Sequence, residues 1–247
     1  MSAVSPEEIE RCLTESGKKF LSSLAEKQIV IDGKKLCGTN STARGNKGDY
    51  LLNAYVSENH ILIGQMALTD KENEIPVYPK LLDKLDVENA IVSIDAMGAQ
   101  VEVAQKILDK RAYYFLAIKD NQKSLHESII ESFKFNKPFN EATEMEGDHG
   151  RVETRVCRIL PADIIYDKDV LQEWPKLRTI IELESEIYYK KTAKTTTTKR
   201  YFISDEDFPK AAYYNMLARG HWCIENMLHW HLDVKLINYN FWCGCSG

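Results

Sequence analysis

Twice in this chain a short β-branched run stops at an aspartate with a glycine close behind. The first is Ile29-Val30-Ile31 before Asp32-Gly33; the second is Ile91-Val92 and Ile94 before Asp95, ahead of Gly98. Runs without polar alternation belong to strands buried on both faces, which require a sheet covered by helices. That narrows the fold to α/β. "DYLLNAYVS" and "HILIGQMAL" alternate around Glu58-Asn59 as a hairpin. "IPVYPKLLDKL", "AQVEVAQKILDK" and "QKSLHESIIESF" read as helices, and "AYYFLAIK" reads as a further strand. The expected order is strand, hairpin, helix, strand, helix, strand, helix.

Ahead of these elements, Ser5 to Lys27 has a capped start and apolar residues Ile9, Leu13, Phe20, Leu21 and Leu24, the pattern of a leading helix. Residues 140–205 break into short β-prone pieces ("RVETRVCRIL", "LRTIIELESEIYY", "TKRYFIS"), a β-rich insertion. After Asp205 a helical period resumes through "AAYYNMLARGHWCIENMLHWHLDV". With 44% apolar side chains in 247 residues, one main core is expected. No run approaches the ~18 apolar residues of a membrane span, and no basic-then-apolar leader opens the chain. A soluble, unexported, cytoplasmic protein is expected. Six cysteines without a CxxC pair suggest neither a disulfide framework nor a zinc finger.

A net charge of −5 argues against a protein that coats nucleic acid by bulk electrostatics. Two basic clusters stand out against it: Lys190, Lys191, Lys194, Lys199 and Arg200, and Arg151, Arg155 and Arg158. For either cluster alone, a solvated face is the better reading.

One strand ending in Asp and Gly is explained by a turn. Two such strands in one α/β sheet change the balance, because ligands of these sheets sit in the crevice outside the strand ends. Two carboxylates held close repel unless a cation neutralises them, and hard oxygen ligands suit Mg²⁺ or Mn²⁺. A third carboxylate would complete a site for two metal ions about 4 Å apart, the arrangement that activates water in phosphodiester cleavage. Glu225 is the candidate: on its helix His221, Glu225 and His229 share a face, with Ile224, Leu228 and Trp222 packing elsewhere.

The strings "VIDGK", "SIDAMGAQ", "DHGRVETR" and "ARGHWCIENMLHWHLDV" closely resemble the H-repeat-associated group of bacterial insertion-sequence transposases, members of the DDE superfamily. The resemblance runs from about residue 5 to residue 235. It implies an RNase H-like α/β fold: a mixed five-stranded sheet flanked by helices, with a β-rich insertion before the final catalytic helix. The core would be residues 28–139 and 206–236, the insertion 140–205, the leading helical segment 1–27 and an atypical tail 237–247. It also implies that Asp32, Asp95 and Glu225 are the catalytic, metal-binding triad, with Mg²⁺ or Mn²⁺ as cofactor. The activity would be cleavage at insertion-sequence ends and transfer of the 3′-hydroxyl strand to target DNA. Partners would be terminal inverted repeats and target DNA, with a homodimer on paired ends. Lys119, Asn121, Gln122, His149, Arg151, Arg155, His221 and Trp222 would lie close to DNA. For Arg151 and Arg155, pairing across strands is an equal alternative.

Relatives usually carry a further stretch before residue 1 and a charged helical segment after "LDV", where this chain reads "KLINYNFWCGCSG". The wider superfamily has tyrosine, arginine and lysine around the glutamate; the matching positions are Ala218, His221 and Leu232, and His221 stands in for the arginine at reduced charge. A truncated, inactive remnant that folds and binds DNA weakly is the competing reading. A zinc hydrolase using His221, His229 and Glu225 lacks the HExxH spacing and leaves both aspartates unexplained.

Overall fold

The computed structural model describes residues 26–35, 50–68, 75–148, 150–224 and 227. The expected leading helix and the tail lie outside these residues. The chain divides into two compact units. Among the described residues, no helix is long and apolar enough to cross a membrane.

The first unit comprises residues 1–93, 109–112 and 220–247. Its strands are β1 (Gln28–Lys35), β2 (Tyr50–Val56), β3 (Ile61–Leu68) and most of β4 (Ile91–Ile94), with α1 (Val77–Lys84) between β3 and β4. They lie in the order β3-β2-β1-β4. β1, β2 and β3 are antiparallel, with Val30 opposite Tyr55 and Asp32 opposite Asn53. β1 and β4 ascend together: the Glu26 amide donates to the Asn89 carbonyl at 2.7 Å and Ile91 to Lys27 at 2.9 Å. They are therefore parallel, as the β-branched runs require. Ile29, Val30, Ile31 and Val92 are fully buried, each contributing about 1.5–3 kcal/mol by leaving water. α1 turns Val77, Tyr78, Leu81 and Leu82 inward. Gly64 on β3 lets that helix approach, since a Cβ there would sit 3.0 Å from Leu85 Cδ2 and 3.2 Å from Leu81 Cδ1.

The second unit comprises residues 94–108 and 113–219. It holds α2 (Val101–Asp109), β5 (Tyr113–Ile118), α3 (Lys123–Phe135), β6 (Asn140–Asp148), β7 (Arg151–Pro161), α4 (Lys168–Glu173), β8 (Thr179–Tyr189), β9 (Lys194–Ser204) and residues 211–219 of α5 (Ala211–Ile224). The sheet order is β5-β9-β8-β7-β6, antiparallel throughout. Segment 140–205 thus continues from β5, with Phe115 opposite Ser204 and Ile118 opposite Tyr201. Phe115 stacks on Phe202 at 4.7 Å between ring centres, and Tyr214 lies beside it. Asp205, just past β9, is buried and accepts a 2.6 Å hydrogen bond from the Tyr114 amide.

The α/β class with mixed sheets flanked by helices holds. Of the five expected strands, β1 to β3 and most of β4 belong to the first unit and β5 to the second. β6 carries no β-branched run to announce it. Its "NEATEMEGD" is a strand because its glutamates face arginines on β7, Glu144 opposite Arg155 and Glu141 opposite Arg158. α4 is likewise a local device, with Asp167 capping the amides of Asp169 and Val170.

Candidate carboxylate site

Asp32 is not the start of a turn. β1 continues through Gly33 to Lys35, and the glycine answers a different need: a Cβ on it would lie 2.0 Å from the Tyr50 hydroxyl. The Gly33 amide donates to Asp32 Oδ1 at 2.9 Å. Opposite Asp32, Asn53 is fully buried; its Oδ1 accepts from Gln65 Nε2 at 2.7 Å and its Nδ2 donates to the Leu51 carbonyl at 3.4 Å.

Side chains two residues apart on a strand share a face. Gln28, Val30 and Asp32 therefore line one face of β1, beside Ser57, Tyr55 and Asn53 from the neighbouring chain segment. The last turn of α5 covers this face. Ile224 is fully buried in a cluster with Val30 and Tyr55. Gly220 rests where a Cβ would fall 2.0 Å from Gln28 Oε1 and 3.2 Å from Ser57 Oγ. A glycine inside a helix costs about 1 kcal/mol relative to alanine; here it allows the close approach. His221 completes the seat, its Nδ1 lying 2.6 Å from Ser93 Oγ on β4.

In the second unit Asp95 does begin a turn, accepting from the Gly98 amide at Oδ1 (3.2 Å) and from the Ala99 amide at its carbonyl (3.1 Å). Asn121 Nδ2 donates to the Ala96 carbonyl at 2.5 Å, and Gln122 Nε2 donates to the Ala99 carbonyl at 2.9 Å and Gln100 Oε1 at 3.1 Å. Both amides, expected near DNA, thus brace the turn that carries Asp95. Lys119 is exposed at the end of β5.

Arg151 is exposed at the start of β7, but Arg155 is buried among carboxylates, with Glu144 at 3.3 Å, Glu146 at 3.5 Å and Glu153 at 3.6 Å. Cross-strand pairing is what this structure gives Arg155. Glu146 also takes Arg219 of α5, whose hydrogen bond, the largest influence, holds the Glu146 carboxyl below its usual range. Trp222, expected off the polar stripe of the helix and close to DNA, is 39% exposed.

Glu225, His149 and His229 lie outside the described residues. Among the described residues, no three His, Cys, Asp or Glu side chains converge on a point that could hold a metal ion. Sequence reasoning passed over Ser93 and Gly220. The only signal for Ser93 was a hydroxyl in an otherwise apolar strand, two residues before an aspartate.

Residues 24–238 match the family described as Transposase DDE domain. YncI of Escherichia coli O157:H7, named as a transposase, is 35% identical over 221 residues, covering 84% of this chain and 54% of its own length. YhhI of Escherichia coli K12, whose name places it with the H repeat-associated transposases, is 32% identical over 245 residues, covering 96% of this chain and 64% of its own. The chain thus spans little more than half to just under two thirds of these relatives. A solved piggyBac transposase synaptic complex with hairpin DNA is similar at a TM-score of 0.44 and 14% identity, over 82% of this chain and 40% of that one.

Proposed function

The chain belongs to the DDE-domain transposase family, and from that premise we propose that Asp32, Asp95 and Glu225 form a carboxylate triad that cuts and rejoins DNA phosphodiesters with Mg²⁺ or Mn²⁺. The observation that carries this reading is the hydrogen bond between Ser93 and His221. Glu225 follows His221 by four positions in the sequence. Asp95 follows Ser93 by two positions in the sequence, at the turn after β4.

The donor set fits a hard divalent cation, since all three groups are carboxylates and Asp32 and Asp95 are each oriented by a backbone amide. A bound pair of cations would supply an activated water and charge stabilisation for the leaving oxygen. The residues of the chain supply position. Gly33 and Gly98 amides fix the two aspartates, Asn121 and Gln122 hold the Asp95 turn, and Ser93 sets the His221 ring. Lys119, His149, Arg151, His221 and Trp222 contact DNA in this reading, while Asn121, Gln122 and Arg155 act through the residues they hold. The substrates are the terminal inverted repeats of an insertion sequence and target DNA, engaged by a homodimer. Residues 28–139 and 206–236 form the catalytic core, with 140–205 between them.

The test is metal-dependent nicking of duplex DNA carrying the repeats that flank the reading frame. Asp32→Ala, Asp95→Ala and Glu225→Ala are each expected to reduce nicking to background while DNA binding persists. Undiminished nicking by Asp95→Ala would overturn the triad.

A further inference from the structure

At one end of the second unit's sheet, four cations from three segments converge. Arg151 begins β7, Lys190 and Lys191 lie in the β8–β9 turn, and Lys194 begins β9; all four are exposed. The register sets Arg151, Tyr189 and Lys194 in one transverse row. Side chains of such a row share a face, so the tyrosine ring stands between two cations about 10 Å apart. Tyr188, one position back, projects from the opposite face, and the two rings are 41% and 37% exposed for Tyr188 and Tyr189.

Other cations of this unit are handled differently. Arg155, Arg158 and Lys199 in the sheet, Arg178 just before β8 and Arg219 on α5 are each paired with a carboxylate. At the tip Asp148 stands opposite Arg151 in the register; among the described residues Lys190, Lys191 and Lys194 make no ion pair, and Glu153, the nearby acid on β7, is turned to Arg155 at 3.6 Å. The tip keeps an excess of positive charge within roughly one Debye length of about 10 Å, a self-repulsion that a polyanion would relieve. The chain carries −5 overall, so this tip has the sign opposite to the average.

We propose that the tip formed by Arg151, Tyr188, Tyr189, Lys190, Lys191 and Lys194 binds the phosphate backbone of duplex DNA, outside the carboxylate site. The cations neutralise phosphates without reading sequence, and the tyrosine hydroxyls donate to phosphate oxygens. This rests on the reading that the chain acts on DNA, and it assigns the β8–β9 hairpin a share in holding the duplex.

The experiment is fluorescence anisotropy of the full chain with a labelled duplex, with EDTA present so that no strand is cut, over a series of salt concentrations. The variant with Arg151, Lys190, Lys191 and Lys194 all changed to alanine is expected to bind at least about tenfold more weakly at low salt. Its slope of log affinity against log salt should fall by about 3 to 4, roughly 0.9 for each phosphate that is no longer neutralised. The triple variant Lys190→Arg, Lys191→Arg, Lys194→Arg should keep both affinity and slope, which separates charge from folding. Unchanged affinity and slope in the alanine variant would overturn the proposal, as would loss of binding in the arginine variant. Tighter binding of a single strand than of the duplex would also count against it. Asp95→Ala distinguishes the two readings: it should bind DNA normally and fail to nick, so nicking that survives this change sinks the triad and leaves the tip standing.

Discussion

Ser93 on β4 and His221 on α5, 128 residues apart in sequence, meet through a 2.6 Å hydrogen bond between Oγ and Nδ1. That bond ties the turn of helix just before Glu225 to the strand that leads into Asp95. It converts a helix seated by apolar packing, through Ile224 on Val30 and Tyr55, into one whose rotation about its own axis is fixed. A net hydrogen bond of this kind is worth about 1 kcal/mol. Its greater effect lies in orientation.

Ser93→Ala is therefore expected to lower stability by about 1 kcal/mol and to slow metal-dependent nicking by roughly tenfold, the equivalent of about 1.4 kcal/mol in the barrier. Ser93→Thr, which keeps the hydroxyl, should recover most of the rate. Single-turnover nicking together with urea unfolding checks both; full activity in Ser93→Ala would remove the orienting role.

Gly33→Ala should destabilise the chain by about 1–3 kcal/mol, because the added Cβ meets the Tyr50 ring, with its hydroxyl at 2.0 Å and Cζ at 2.5 Å. Adding Tyr50→Leu should restore most of the stability. A double-mutant cycle in thermal unfolding measures the coupling, and strictly additive effects would show that the ring is not the cause.

Arg155→Met should cost about 1–3 kcal/mol in unfolding free energy by removing the cation that Glu144, Glu146 and Glu153 share, of which Glu146 alone keeps a second ion-pair partner among the described residues, Arg219. It should leave the salt dependence of DNA binding unchanged, whereas removing a cation that neutralises a phosphate lowers the slope by about 0.9. Anisotropy over a salt series decides between an internal role and a DNA-facing one.

Burial pushes the Asp205 carboxyl up from 3.8 to about 6, reinforced by Glu206 and opposed by the Tyr114 amide. The folded state therefore takes up this proton more readily than the unfolded chain, and the stability Asp205 contributes is present below about pH 4 and lost as pH rises through about 6. Asp205→Asn keeps an acceptor for the Tyr114 amide without the buried charge. It should match the parent near pH 4 and exceed it above pH 6 by on the order of 3 kcal/mol. Urea midpoints at the two ends of that window give the comparison.

The strands were legible where burial selected their residues. Ile29 to Ile31 and Ile91 to Ile94 announce themselves because both of their faces are covered. β6 was not, because its partners are arginines on another strand and charge pairing leaves no period to read. The Asp-Gly pairs show the same limit. One begins a turn and the other sits within a strand, and Tyr50, which explains the second glycine, lies on a different strand. Asn121 and Gln122 were placed near DNA by the family resemblance alone, and whether an amide side chain meets DNA or a neighbouring carbonyl depends on where the 96–100 turn lies. Local sequence does not carry that distance.

The pairing of β9 with β5 constrains how this protein can be trimmed. Removing segment 140–205 would strip β5 of the four residues that face it, Tyr201 to Ser204, and expose a raw edge of amides and carbonyls ready to recruit another chain. Shortening the hairpins from their far ends removes only rungs remote from that seam.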